Sequence, residues 1–115
     1  MKHRLLTLFV LLALLLTFLP AQTVHAIGGR VLYVDDDSAC IGLCGDSWAN
    51  AYKNLQAALS AAASSDQIWV AEGVYYPGGH RTSTFTLKNE VAVYGGFKGT
   101  ETQVDQRNPA ANPTI

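Results

Sequence analysis

From Asp66 onward the chain is written as short extended stretches closed by glycine. "QIWVAEG" (Gln67 to Gly73) has the β-branched and aromatic content of a strand, and so does "TFTL" (Thr84 to Leu87), with Phe85 and Leu87 on one face. "EVAVYGGF" (Glu90 to Phe97) is a third, with Val91 and Val93 on one face and Ala92 and Tyr94 on the other. Pro77-Gly78-Gly79, Gly95-Gly96 and Gly99-Thr100-Glu101 supply the turns between them. Strand starts near Ile68, Val91 and Thr114 recur at an interval of about 23 residues, inside the range of solenoid coils. Short strands with no second long helix are poor material for an α/β sandwich.

The segment before Asp66 is different. "RVLYVD" (Arg30 to Asp35) alternates as a strand, with Val31, Tyr33 and Asp35 on one face and Leu32 and Val34 on the other. A glycine- and cysteine-bearing loop follows from Asp36 to Ser47. Leu55, Ala58, Leu59 and Ala62 then mark one face of a helix, with Asn50 as the expected N-cap and Ser64-Ser65-Asp66 as its end. The tail "RNPAANPTI" holds two Asn-Pro steps, each favouring a turn or extended entry, before Thr114-Ile115 begins something apolar.

The N-terminus carries an export signal. Lys2, His3 and Arg4 form a basic start, Leu5 to Leu19 is apolar apart from Thr7 and Thr17, and Pro20 ends the run. Val24 and Ala26 are the small residues that signal peptidase needs, so cleavage is expected between Ala26 and Ile27. The apolar run is shorter than the roughly 20 residues of a spanning helix. Membrane contact is therefore expected only through residues 1–26 during export, and residues 27–115 are expected to be secreted or on the cell surface. That portion is mildly acidic and has no Lys/Arg run, which argues against nucleic acid as a partner. Both cysteines fall in it, and an oxidising compartment favours a Cys40–Cys44 disulfide across Gly42. Two thiolates are half a zinc site with nothing to complete it, and the spacing is one residue longer than the Cys-x-x-Cys redox motif.

Four groups of residues invite a chemical reading. Asp35, Asp36 and Asp37 suggest calcium, but the EF-hand spacing is absent and Asp commonly ends strands through bonds to nearby N–H groups. On a strand, Asp35 and Asp37 would converge and Asp36 would not. No metal and no cofactor are expected. His80 lies in a glycine-rich turn, where a solvated loop histidine is the natural reading. Glu72 with Asp66 or Glu90 resembles a glycosidase pair only on paper, because separation in space decides that chemistry. Trp48, Trp69, Tyr75, Tyr76, Tyr94 and Phe97 are enough aromatics for a sugar-stacking surface; packing is favoured for Trp48 and Trp69, the latter against the helix, and Tyr75 and Tyr76 are left open.

Four motifs in order carry a resemblance. "YVDDDSACIGLCGDSWANAYKNLQAAL", "DQIWVAEGVYYP", "VAVYGGFKGTETQ" and "RNPAANPTI" resemble the opening of secreted right-handed parallel β-helix proteins of the pectin-lyase-like fold. The closest kind is the bacterial choice-of-anchor and polymorphic-outer-membrane-protein surface proteins, and the resemblance covers nearly all of residues 27–115. It implies a mainly β fold in which the first strand and amphipathic helix cap a β-helix and the following strands begin its first coil. Family members continue for many more coils, so the expectation is a cap and about one coil, short of the roughly three repeats a solenoid needs. Enzymes of that fold act through residues on later coils, and no position here matches their motifs, so no catalytic residue is assigned. The function implied is a structural or binding scaffold for polysaccharide or a cell-surface partner. The alternative is the front portion of a polysaccharide lyase or glycoside hydrolase.

Overall fold

A computed structural model describes residues 29–115, so the expected cleavage between Ala26 and Ile27 lies outside the described residues. The regular elements are β1 (Val31–Val34), helix α1 (Leu55–Ala61), β2 (Gln67–Ala71), β3 (Ala92–Phe97) and a 3-10 turn, Val104–Gln106. The strands form one parallel sheet in the order β1-β2-β3. Parallel neighbours need a long crossover, which α1 supplies between β1 and β2 and an irregular segment supplies between β2 and β3. Sheet is the dominant regular structure, as expected.

The register explains which residues are buried. Leu32 lies beside Ile68 and Val34 beside Val70, and all four are buried. They pack with Ala58, Leu59 and Ala62 of the helix side and with Tyr75. Four consecutive residues of the central strand, Ile68 to Ala71, are buried, as a strand covered on both faces requires. Helix α1 is too short to stand alone, and packing holds it. Its N-cap is Asn54, whose side-chain oxygen accepts from the N–H groups of Gln56 (2.7 Å) and Ala57 (3.4 Å). The expected cap, Asn50, instead donates its side-chain amide to Leu43 O and Asp46 Oδ1 and so organises the preceding loop. At the other end Lys88 Nζ donates to the Ser60 and Ala62 carbonyls, both at 2.8 Å, placing a cation where the helix dipole favours it.

Two further expectations change. Residues Thr84–Leu87 form no strand: the Thr86 N–H donates to Gln56 Oε1 instead of to a neighbouring backbone, while Phe85 still packs on the core. The recurrence near Ile68 and Val91 is a true pairing, Gln67 with Ala92, but Thr114 does not extend that ladder. It bridges to Gly73 in a second short parallel contact, with Ile115 N donating to Gly73 O and Tyr75 N to Ile115 O.

The two edges of the sheet are unlike. The outer side of β1 is closed by the loop: Tyr33 N donates to Gly45 O (2.9 Å), Tyr52 N to Tyr33 O (2.8 Å), and Asp35 N to Tyr52 O (2.8 Å). The outer side of β3 has no strand neighbour among the described residues. Asn108 N reaches Gly96 O and the Arg107 guanidinium reaches Gly95 O, but Val93 has no outer backbone partner among the described residues.

Candidate functional site

The aspartate triplet sits where β1 runs out. Asp35 Oδ1 accepts the Asp37 N–H at 3.0 Å, and the Asp35 carbonyl accepts the Ser38 N–H at 3.0 Å, which closes a turn. Asp36 is held from across the sheet: its N–H donates to Tyr75 Oη (3.2 Å) and its Oδ2 accepts from Val74 N (3.4 Å). Gly73 makes room for that carboxylate. Its φ is +150°, and a Cβ there would lie 2.6 Å from Asp36 Oδ2. The turn brings carboxylate oxygens of all three aspartates within 4.8 Å of one another, so Asp36 converges with its neighbours, contrary to strand alternation. Alternation fails because residues 36 and 37 are already in the turn.

Tyr75 ties this turn to the sheet. Burial pushes its phenol well above the usual range, the Asp36 N–H bond opposes that, and the charges of Asp36, Asp35 and Asp37 add to it. It stays protonated and donates to the Ala71 carbonyl at 3.1 Å. Tyr75 is thus structural.

Beside this bracket lies an open cleft of about 380 Å³. Leu55, Val74 and Tyr75 give it an apolar lining, Asp36, Lys53 and Asn54 contribute polar groups, and Tyr76 completes the wall. Tyr76 is 73% exposed, and Lys53 makes no ion pair among the described residues. A second cleft shares Asp36 and Val74 and runs towards Glu72 and Ile115.

Of the other candidate aromatics, Tyr94 lies under the Arg107 guanidinium, whose carbon is 5.4 Å from the ring centroid, and the rest pack on one another. On the sheet face away from α1, Tyr33, Trp48, Phe97 and Trp69 form a closed ring of contacts, with centroid separations from 4.8 to 5.7 Å. Trp69 is buried as expected, but against these rings and not against the helix, because Ile68 and Val70 already face that way. Trp48 Nε1 donates to the Glu101 carbonyl at 2.8 Å. Burial raises the Glu101 carboxyl, but bonds from the N–H groups of Thr100, Lys98 and Gly99 outweigh it and hold the group below its ordinary range.

The remaining candidates are scattered. Asp66 is buried and takes the Arg30 guanidinium (3.0 Å), the Arg30 N–H (2.8 Å) and the Ala63 N–H (2.9 Å). The Glu90 side chain accepts from Ser64, and Glu72 lies at the second cleft, so none of the three shares a partner with another. His80 is exposed in its turn. Cys40 and Cys44 are joined by a disulfide with Cα atoms 5.9 Å apart. The loop it closes displays Ile41 and Leu43, 98% and 96% exposed. Among the described residues, no helix is long and apolar enough to cross a membrane.

The sequence reading missed Asp66 as an anchor. Aligning "RVLYV" with "DQIWV" on Tyr33 and Trp69 would have placed Arg30 beside Asp66. Lys53 as a cleft residue had no such signal, since only the fold carries it alongside Val74 and Tyr76. The chain matches no protein-family profile, no curated protein sequence and no solved structure.

Proposed function

We propose that residues 27–115 are the cap and first coil of an exported right-handed parallel β-helix, serving as a structural or binding scaffold for polysaccharide or a cell-surface partner. The observation that carries this reading is the asymmetry of the sheet, with β1 closed by Gly45 and Tyr52 and β3 without a strand neighbour among the described residues. A cap has this form: it finishes one end of a parallel stack and leaves the other able to pair. The disulfide is compatible with an extracytoplasmic location. Buried titratable groups such as Asp66 and Tyr75 are tied into the framework, which supports a scaffold over a catalyst.

The test has two parts. Expression in a secretion-competent bacterial host should yield a chain whose first residue, by mass spectrometry, is Ile27. Hydrogen exchange on that material should protect the Tyr33 and Asp35 amides like those of β2 and leave the Val93 amide fast. An intact Met1 in a membrane pellet would overturn the export reading, and equal protection of both sheet edges would overturn the cap.

A further inference from the structure

We infer that the cleft bounded by Asp36, Lys53, Asn54, Val74 and Tyr76 is a carbohydrate site, and that it takes neutral sugars in preference to uronates. The inference rests on the binding side of the scaffold reading and names the place and the ligand class.

A sugar ring presents an apolar C–H face and a rim of hydroxyls that donate and accept. A site for it therefore needs an accessible aromatic or aliphatic wall with an acceptor and a donor at the edge. Tyr76 is the exposed aromatic wall, and Leu55 and Val74 extend it. Asp36 supplies acceptor oxygens: its Oδ2 takes only one long bond, from Val74 N at 3.4 Å. Lys53 and Asn54 supply donors. Asn54 Oδ1 is consumed by the helix cap, and its amide N–H groups have no partner among the described residues. The volume of about 380 Å³ sits at the small end of the usual range for ligand pockets, about 300–1,000 Å³. It suits a terminal or single sugar residue better than a long chain.

Charge narrows the class. One cation, Lys53, lines the cleft together with Asp36, whose carboxylate lies within 4.8 Å of those of Asp35 and Asp37, and Glu72 lines the adjoining cleft. An anionic sugar in the cleft would meet Asp36 directly, with the charges of Asp35 and Asp37 close behind it and one amine to offset them, and like charges repel. A neutral hexopyranose meets no such penalty. In the aromatic cluster on the other sheet face, Trp69 and Phe97 are buried against each other and offer no open ring face for a sugar.

The experiment is an amide NMR titration of the exported chain carrying Val93→Lys, to suppress edge association, with β-1,4-linked glucohexaose and mannohexaose and with α-1,4-linked hexagalacturonate. A neutral hexaose should shift the amides of residues 53–55 and 74–76, and the uronate should leave them in place. Tyr76→Ala, at an exposed position, should keep the dispersed spectrum and weaken the neutral sugar about tenfold, while Tyr76→Phe should retain it. Tighter uronate binding, shifts confined to other surfaces, an unchanged affinity in Tyr76→Ala, or no response to either neutral sugar would each overturn the site. Any of these would leave the Ile27 terminus and edge-protection results intact, so the scaffold reading stands or falls separately.

Discussion

Trp69 and Phe97 stack with ring centroids 4.9 Å apart and planes inclined by 8°, although Trp69 is paired in register with Tyr94. A bulge makes this possible. From Trp69 to Ala71 β2 advances two residues, while from Tyr94 to Phe97 β3 advances three, the extra residue falling at Gly95-Gly96. A strand exchanges faces with every single-residue shift, so the insertion turns Phe97 onto the buried aromatic face.

Gly96 is therefore the residue on which that stacking depends. Its φ is +87°, and a Cβ would come within 2.7 Å of Pro109 Cγ and 2.8 Å of Pro109 backbone atoms. Gly96→Ala should destabilise by about 3 kcal/mol, combining backbone strain with the clash. Gly42→Ala, at φ +102° but with nothing within 4 Å, should lose about 1 kcal/mol. Urea unfolding of the two variants measures the difference.

Acid should unfold the chain through its anchored carboxylates. Burial raises Asp66, but the Ala63 N–H and the Arg30 guanidinium and N–H outweigh it and hold the folded value below the ordinary one. A depressed folded value gives stability that is complete above the unfolded pKa of about 3.9 and is lost as pH falls through the folded value. Glu101 acts in the same sense from about 4.3 downward. The melting temperature should fall below about pH 4, and Asp66→Asn should flatten that fall while costing about 2 kcal/mol at neutral pH.

The disulfide should contribute modestly. Its loop is short, and the chain-entropy account gives about 2 kcal/mol for Cys40→Ser with Cys44→Ser. Alkylation of exported material without reductant should label neither cysteine. Labelled thiols or bound zinc would contradict the pairing.

The unpaired side of β3 should make the chain associate. Val93 is 39% exposed there, and Leu87 and Ile115 are 72% and 73% exposed. Residues 27–115 should show a broad melt and concentration-dependent association, and Val93→Lys should suppress the association, as a charge on an edge strand does. Sedimentation of the two proteins compares them directly. A sharp monomeric transition in the unsubstituted chain would refute this.

The periodic parts of the molecule were readable from the residues, because alternation and helical spacing report burial directly. Leu32, Val34, Ile68 and Val70 face the core as their pattern requires, and Leu55, Ala58, Leu59 and Ala62 mark the helix. The disulfide followed from the cysteine spacing and the expectation of export. What was hidden depends on partners distant in sequence. Thr84–Leu87 has a strand's composition, but Gln56 claims its amide, and Asn50 precedes the helix as plausibly as Asn54 until loop contacts are known. The cleft joins the residues after β1, the start of α1 and the segment after β2, and no local pattern links those three.

The closure of β1 by Gly45 and Tyr52 also sets how many copies can join. A molecule with two open strand edges can add partners at both and grow without limit, as fibrils do. One with a single open edge is saturated once that edge meets another of its kind, because the face-to-face contact uses the same surface twice and exposes nothing new. Pairing through the β3 edge is therefore expected to stop at two chains, with the loops that close β1 pointing outward.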